Sequence, residues 1–301
     1  MHHLSYVQAI IMGVIQGATE LFPISSLGHA VIIPKLVPGW HSLAAAQSNS
    51  ESWFLAFLVG LHVGTAVALI AYYRKTWVSI TGAFVTSVRK REVAGPTQRL
   101  AWLIILGTIP VGIVGLAFEH KLRVIFAKPL YASVFLTING FILLGGEYLR
   151  RRSLARSSDK RALGDRDVAP RYLLDTLPFG QGILIGASQI AALFAGISRS
   201  GISMVTGLTR GLDHEDAARF SFLLATPVIL LAGVYKLPDL LGPLGAEAGR
   251  SQVIVGSIAA GITSYLSVRF LVRWFETKTL WPFGIYCLIA GAGSTIYFAL
   301  R

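Results

Sequence analysis

The sequence predicts an all-α polytopic membrane protein, an inverted-topology duplication in which each half is a re-entrant helical hairpin plus three transmembrane helices. Three observations lead there: a composition too apolar for a hydrated surface, six apolar runs of membrane-crossing size, and two interrupted apolar stretches that echo each other. Of 301 residues, 53% are hydrophobic and 14% charged, where a soluble domain carries about 25% charged residues. With a mean hydropathy of +0.62, such a chain cannot cover itself with polar groups, and part of its solvent is lipid. That excludes a disordered chain and a soluble enzyme of ordinary surface. A lone cysteine, Cys287, excludes an internal disulfide and any four-cysteine metal site. Basic residues outnumber acidic ones 27 to 15, yet they fall in short clusters between apolar runs. That pattern orients a membrane protein and argues against a nucleic-acid partner. Met1–Tyr6 carries no Lys or Arg and the first apolar run shows no small-residue cleavage site, so no removable signal peptide is expected.

Crossing about 30 Å of hydrocarbon takes about 20 helical residues. Runs of that kind lie at 53–73, 100–118 and 130–149 in the first half, and at 220–235 (a short one), 253–271 and 280–300 in the second. Ahead of each set, Leu4–Pro34 and Phe179–Leu208 are apolar but broken midway by Gly, Ser, Pro and charge. A lipid-facing helix broken there would strand backbone N–H and C=O groups, so each stretch reads as two short helices meeting at a polar tip. A kinked ordinary span is the alternative. Gly17-Ala18-Thr19-Glu20-Leu21 is echoed by Gly186-Ala187-Ser188-Gln189-Ile190, and Ile24-Ser25-Ser26-Leu27-Gly28 by Ile197-Ser198-Arg199-Ser200-Gly201. Two echoes in order, each opening three spans, read as an internal duplication. The first repeat then covers 1–152, a basic linker 153–171, and the second repeat 172–301.

An odd number of spans per half inserts the second copy upside down. The charges agree. Arg74–Arg99 carries six basic residues against Glu92, and Arg150–Arg171 eight against three acids. Two spans separate these segments, so both belong in the cytoplasm. The loop after Phe118, with Lys121, Arg123 and Lys128, is then external.

The chemistry concentrates at the two tips. Gln16 and Glu20, four residues apart, share a helical face, and a carboxylate in an apolar segment faces a cavity or a partner. Pro23 ends that helix, and Gly28 allows a tight path to Ser25, Ser26 and His29. A hydroxyl, an imidazole and a carboxylate within ten residues can make a nucleophile, a base and an orienting group. They can equally be a polar turn capping the next helix. At the second tip Arg199 stands between Ser198 and Ser200, with Gly201 and Ser203 following. A guanidinium in the bilayer needs an anion, either a phosphate held also by helix-opening N–H groups or Glu20 itself. His62, inside the 53–73 span, reads as a buried hydrogen-bonded histidine, with the cavity wall as its other placement.

At these residues the chain resembles the bacterial undecaprenyl-pyrophosphate phosphatases, the bacitracin-resistance proteins. That family carries Glu/Gln-x-x-x-Glu running into P-x-S-S-x-G-H, and P-G-x-S-R-S-x-x-T. The first element is complete from Gln16 to His29, and the second stands at 195–203 with Ala195 for Pro and Ser203 for Thr. The resemblance covers essentially the whole chain. It implies a multi-pass protein of the bacterial plasma membrane that hydrolyses undecaprenyl pyrophosphate to undecaprenyl phosphate and phosphate, recycling the carrier lipid for cell-wall synthesis and conferring bacitracin resistance. It also implies a divalent cation, Mg2+ or Ca2+, held at Glu20 and Gln16, the latter standing where many members have a second Glu. Arg199 matches the pyrophosphate-binding arginine, and Ser26 and His29 the proposed nucleophile and its partner. Ser25, Gly28, Ser198, Ser200, Gly201 and Ser203 complete the expected substrate contacts. The partners are the lipid substrate and the membrane; the sequence leaves a homodimer open. The rival class is a secondary transporter or flippase of polyprenyl phosphate, which needs the same anion site without cleavage. A third class, the membrane phosphatases with a P-S-G-H element, fails because Val205 stands where a histidine is required.

Overall fold

The computed structural model describes residues 4–46, 53–126, 128–162 and 174–300. Its first helix begins at a capping box: the Ser5 hydroxyl accepts from the Gln8 N–H at 3.2 Å, and the Gln8 side chain accepts from the Ser5 N–H at 3.0 Å. From there α1 (Tyr6–Thr19) runs to a break, and α2 (Ser26–Leu36) follows it. The first half continues through α3 (His41–Ala46), α4 (Trp53–Tyr72), α5 (Arg74–Lys90), α6 (Pro96–Phe126) and α7 (Pro129–Ala162). The second half opens with α8 (Phe179–Ser188), a tighter 3-10 turn over Gln189–Leu193, and α9 (Arg199–Thr209). It ends with α10 (His214–Tyr235), the short α11 (Leu237–Leu241) and α12 (Pro243–Ala248), α13 (Arg250–Thr277) and α14 (Trp281–Ala299). Every regular element among the described residues is a helix.

Six helices are long and apolar enough to cross a membrane: α4, α6, α7, α10, α13 and α14. Their outer faces are apolar too. Ile113, Leu116, Ile262 and Ile289 are each more than half exposed, a surface that water would not tolerate over such an area. The protein is therefore a multi-pass membrane protein, with each expected span present as a helix.

The helices outrun the apolar runs read from the sequence: α10 begins at His214 and α13 covers Arg250–Thr277. The segment 74–99, read from the sequence as a basic cytoplasmic segment between spans, contains α5, whose Phe84 ring sits 5.3 Å from that of Trp102 on α6. The Trp102 indole N–H donates to Ser87 at 3.0 Å, tying the two helices together. Its charges masked a helical spacing of Trp77, Ile80 and Phe84, and Arg91, at φ 54°, ends the helix in the left-handed conformation. The loop expected after Phe118 is helical to Phe126, and the linker expected at 153–171 begins as helix, to Ala162. Residues 163–173 and 1–3 lie outside the described residues.

Small residues let the hairpin helices approach the spans closely. On α1, a Cβ added at Gly13 would lie 2.3 Å from the Gly256 carbonyl of α13, and one at Gly17 2.4 Å from the Ala260 carbonyl. On α8, a Cβ at Gly186 would lie 2.2 Å from the Gly107 carbonyl of α6. Close backbone approach of this kind is how helices associate in lipid, where apolar contact alone gives no preference for protein over acyl chain. The pairs α1 with α13, α8 with α6, α4 with α13, α10 with α6, α7 with α14 and α4 with α10 make up the bundle.

Gly17→Ala is expected to lower stability by about 1–3 kcal/mol, because a backbone carbonyl cannot move aside as a side chain can. Gly82→Ala, on α5 with nothing within 4 Å of the added carbon, is expected to be neutral or stabilising by up to about 1 kcal/mol. Thermal unfolding of the detergent-solubilised variants checks both.

Candidate active site

The break after α1 places Glu20 as its C-cap residue, its N–H donating to the Gln16 carbonyl at 2.9 Å. The carboxylate is 8% exposed and gathers four groups. Arg199 Nη2 donates to Oε1 at 2.8 Å, and Gln16 Nε2 donates to Oε2 at 3.1 Å. The Ser26 hydroxyl donates to the same Oε2, and His62 Nε2 stands 3.4 Å from it. Residues from α1, α2, α4 and α9 thus converge on one carboxylate.

Local chemistry explains why the tips fold this way. Ser25 takes φ 69°, ψ 99° and caps α2, its hydroxyl accepting from the Gly28 N–H at 3.3 Å. A non-glycine residue held at positive φ stores strain, which is found where a site over-determines the backbone. Ser198 caps α9 in the same manner, accepting from the Gly201 N–H at 3.1 Å, so that Arg199 opens the helix. The two tips touch where a Cβ on Gly28 would lie 3.0 Å from Gly196 Cα. Gly196 itself has φ 112° and would place a Cβ 2.4 Å from the Ala132 carbonyl of α7, two independent reasons for glycine.

One buried side chain spans both tips. Asn139 of α7 donates through Nδ2 to the Pro23 carbonyl of the first tip at 2.9 Å, and its Oδ1 accepts from the Ser198 N–H of the second at 2.9 Å. Ser200 adds a bond from its hydroxyl to the Phe22 carbonyl, at 3.3 Å, and shares another with the Ser198 hydroxyl at 3.0 Å. Ser203 donates to the Arg199 carbonyl at 2.7 Å and meets Ser221 of α10 at 2.8 Å. All the predicted site residues therefore lie in the two tips or directly behind them.

Two placements differ from the sequence reading. Ser26 and His29, expected as nucleophile and base, face different partners. His29 Nδ1 lies 2.7 Å from the Ser25 carbonyl and its Nε2 2.7 Å from the Tyr286 hydroxyl, while Ser26 turns to Glu20. The imidazole beside the carboxylate is His62, oriented by a 2.8 Å contact of Nδ1 with the Leu58 carbonyl and partly open at 28% side-chain exposure. Asn139 and Tyr286 were missed altogether. A lone Asn in an apolar span carries one usable signal, that a buried amide must find partners.

Two buried polar atoms in the cluster have no hydrogen-bond partner among the described residues: Arg199 Nη1 and Gln16 Oε1. A native interior satisfies nearly all such atoms, so these two stand out as the unspent donor and acceptor of the cluster. Gln16 Oε1 beside Glu20 provides the hard oxygen donors a divalent cation takes. No group of three His, Cys, Asp or Glu side chains forms a metal cluster among the described residues.

Fold and site define a polytopic membrane protein with a buried, anion-ready polar centre at the meeting of two broken helices. The chain belongs to the family described as bacitracin resistance protein BacA, which matches residues 9–293. It is similar to the undecaprenyl-diphosphatase of Mycolicibacterium paratuberculosis, at 54% identity over 99% of both chains. It is 52% identical to undecaprenyl-diphosphatase 2 of Frankia alni over the whole of both chains. With the undecaprenyl-diphosphatase of Granulibacter bethesdensis it shares 42% identity, over 97% of this chain and 96% of the relative.

Asn139→Leu is expected to destabilise the protein by about 2–4 kcal/mol, since it strands both the Pro23 carbonyl and the Ser198 N–H. Asn139→Asp keeps the acceptor for Ser198 and is expected to fall between Leu and wild type. Denaturation midpoints in detergent rank the three.

Proposed function

We propose that the protein is an undecaprenyl-diphosphatase of the bacterial plasma membrane, which cleaves undecaprenyl pyrophosphate to undecaprenyl phosphate and phosphate and so returns the carrier lipid to cell-wall synthesis. The observation that carries this reading is the partly buried Arg199 guanidinium, with Nη2 on Glu20 and a buried Nη1 that has no partner. A guanidinium fork suits a phosphate's oxygens. The names of the full-length relatives support the same substrate.

The chain's own groups divide the work. Arg199, with the Ser200 amide at the start of α9, binds the terminal phosphate and neutralises charge as the bond to the bridging oxygen stretches. Ser26 is the nucleophile: its oxygen bonds to the terminal phosphorus as its proton passes to Glu20, and the bridging oxygen leaves on undecaprenyl phosphate. Water then takes the phosphoryl group from Ser26, and Glu20 returns the proton to the serine oxygen. His29 and its partner Tyr286 hold the Ser25 turn that aims Ser26. Glu20 and Gln16 would hold the divalent cation, which when bound adds charge neutralisation at the diphosphate. Bilayer burial of the tips strengthens each of these interactions relative to water.

The inverted-topology duplication belongs to this proposal. Exchange of the halves maps the packing of α1 on α13 onto that of α8 on α6, and α4 on α13 onto α10 on α6, while α7 with α14 and α4 with α10 map onto themselves. Pairing of that kind supports two copies related by a pseudo-two-fold axis, which brings the tips together from opposite faces. A pure carrier of polyprenyl phosphate would share the architecture, but it has no use for a hydroxyl held by a carboxylate beside the anion site.

Purified protein is expected to release phosphate from undecaprenyl pyrophosphate, and to lose most of that activity on chelation and regain it with added Mg2+ or Ca2+. Arg199→Ala and Ser26→Ala are each expected to lower kcat by about 10²–10³ or more, with unchanged monodispersity. Phosphate release by either variant at the wild-type rate refutes the assignment, and binding without release by the wild type makes the protein a carrier.

A further inference from the structure

Away from the tips, the C-terminal end of α13 carries a groove of about 550 Å³. Its apolar floor is Leu266, Phe270 and Trp274, and its rim Arg269, Arg273 and Lys278. Arg269 and Arg273 are four residues apart and so stand one above the other on the helix. Among the described residues no carboxylate lies within ion-pair distance of any of the three cations. Glu276, on the same helix, pairs with none of them.

The floor is built and braced. Phe270 stacks on Trp274 at 5.6 Å and, on its other side, on Phe22 at 5.8 Å, while Trp274 packs edge-on to Phe283 at 5.9 Å. The Trp274 indole N–H is spent on the Thr279 carbonyl at 3.2 Å. Yet Leu266 and Phe270 remain about half exposed. Going up the helix, Ile254, Ile258 and Ile262 extend the same exposed stripe at intervals of four residues. An occupant that satisfies both parts has an acyl chain for the stripe and an anionic head for the rim. The ring of Tyr265, one residue before the groove, packs 5.8 Å from that of Tyr72. Tyr72 ends α4 immediately before Arg74 and Lys75, so the groove lies at the end of the bundle where basic residues gather.

We propose that this groove is a binding site for an anionic phospholipid of the surrounding leaflet, its phosphate held by Arg269, Arg273 and Lys278 and its chain laid along Leu266, Ile262 and Ile258. Charge complementarity selects the head, and the continuous apolar stripe selects a lipid over a soluble anion or an acidic protein. The site shares no residue with the diphosphate centre. Its aromatic floor nevertheless reaches Phe22, two residues beyond Glu20.

The test is native mass spectrometry of the delipidated full chain in mild detergent, titrated separately with phosphatidylglycerol and phosphatidylcholine of the same acyl length. Binding rather than turnover is read, so the result is independent of the diphosphatase reading. Wild type is expected to bind the first phosphatidylglycerol at least tenfold more tightly than the first phosphatidylcholine. The triple variant Arg269→Gln, Arg273→Gln, Lys278→Gln is expected to lose that preference, binding the two lipids within about twofold of each other. The variant Arg89→Gln, Lys90→Gln, Arg91→Gln, with the same charge loss on exposed residues at the end of α5, is expected to keep it. Equal binding of the two lipids by wild type overturns the proposal, as does an unchanged preference in the groove variant or an equal loss in both variants.

Discussion

The contact between Glu20 and Arg199 is the constraint on which the site depends. Neither charge is tolerable alone in a bilayer, where an unpaired ionised side chain costs several kcal/mol on insertion scales. Each lies at the tip of a different broken helix, so bringing them to 2.8 Å commits the two tips to meet. Once they meet, the rest of the polar chemistry follows at short range. Ser26, Gln16 and His62 complete the shell of the carboxylate, and Asn139 joins the backbones of the two loops behind it. A buried pair of this kind is a poor source of stability compared with apolar packing. Here the pair persists with one guanidinium edge and one amide oxygen buried and without a partner, which fits the anion-binding role proposed for Arg199.

The supporting architecture is mostly backbone against backbone. Glycine and alanine faces on α1 and α8 let each hairpin lie against a span of the other half, which fixes the height of its tip. Helices held by side chains alone could slide by a rotamer; helices held by carbonyls in contact with glycine cannot. The strained Ser25 and the left-handed Gly196 then turn the chain within a few residues. Precision at the site is thus borrowed from rigid elements, with loops kept short.

Much of this was legible in one dimension, and the parts that were not share a reason. The spans announced themselves by length and hydropathy, and the tips by Pro23, Gly28, Gly196 and the serines that cap α2 and α9. Pairing of Arg199 with Glu20 was one of two readings the residues allowed. What could not be read was which face of a span looks inward. Asn139 and His62 are polar residues in apolar helices, and only the packing of α7 and α4 reveals that both point at the tips. The same gap pairs Ser26 with His29, its neighbour in sequence, whereas its hydroxyl bonds to the Glu20 carboxylate, which His62 of α4 also approaches. Helix α5 was hidden by its own charges, since a basic segment between two spans reads as a loop until its apolar residues are counted at a period of 3.6.

If Arg199 rests on Glu20 and turns its free edge to the diphosphate, removing the charge of Glu20 must leave anion binding intact while stopping turnover. The direct measurement is the Kd of a non-hydrolysable prenyl methylenediphosphonate for wild type, Glu20→Gln and Arg199→Ala, taken in chelator so that no cation bridges to residue 20. The account predicts that Glu20→Gln binds at least as tightly as wild type and that Arg199→Ala binds at least tenfold more weakly. Equal weakening in Glu20→Gln and Arg199→Ala would contradict it, because the pair would then be a structural tie and not a site waiting for phosphate.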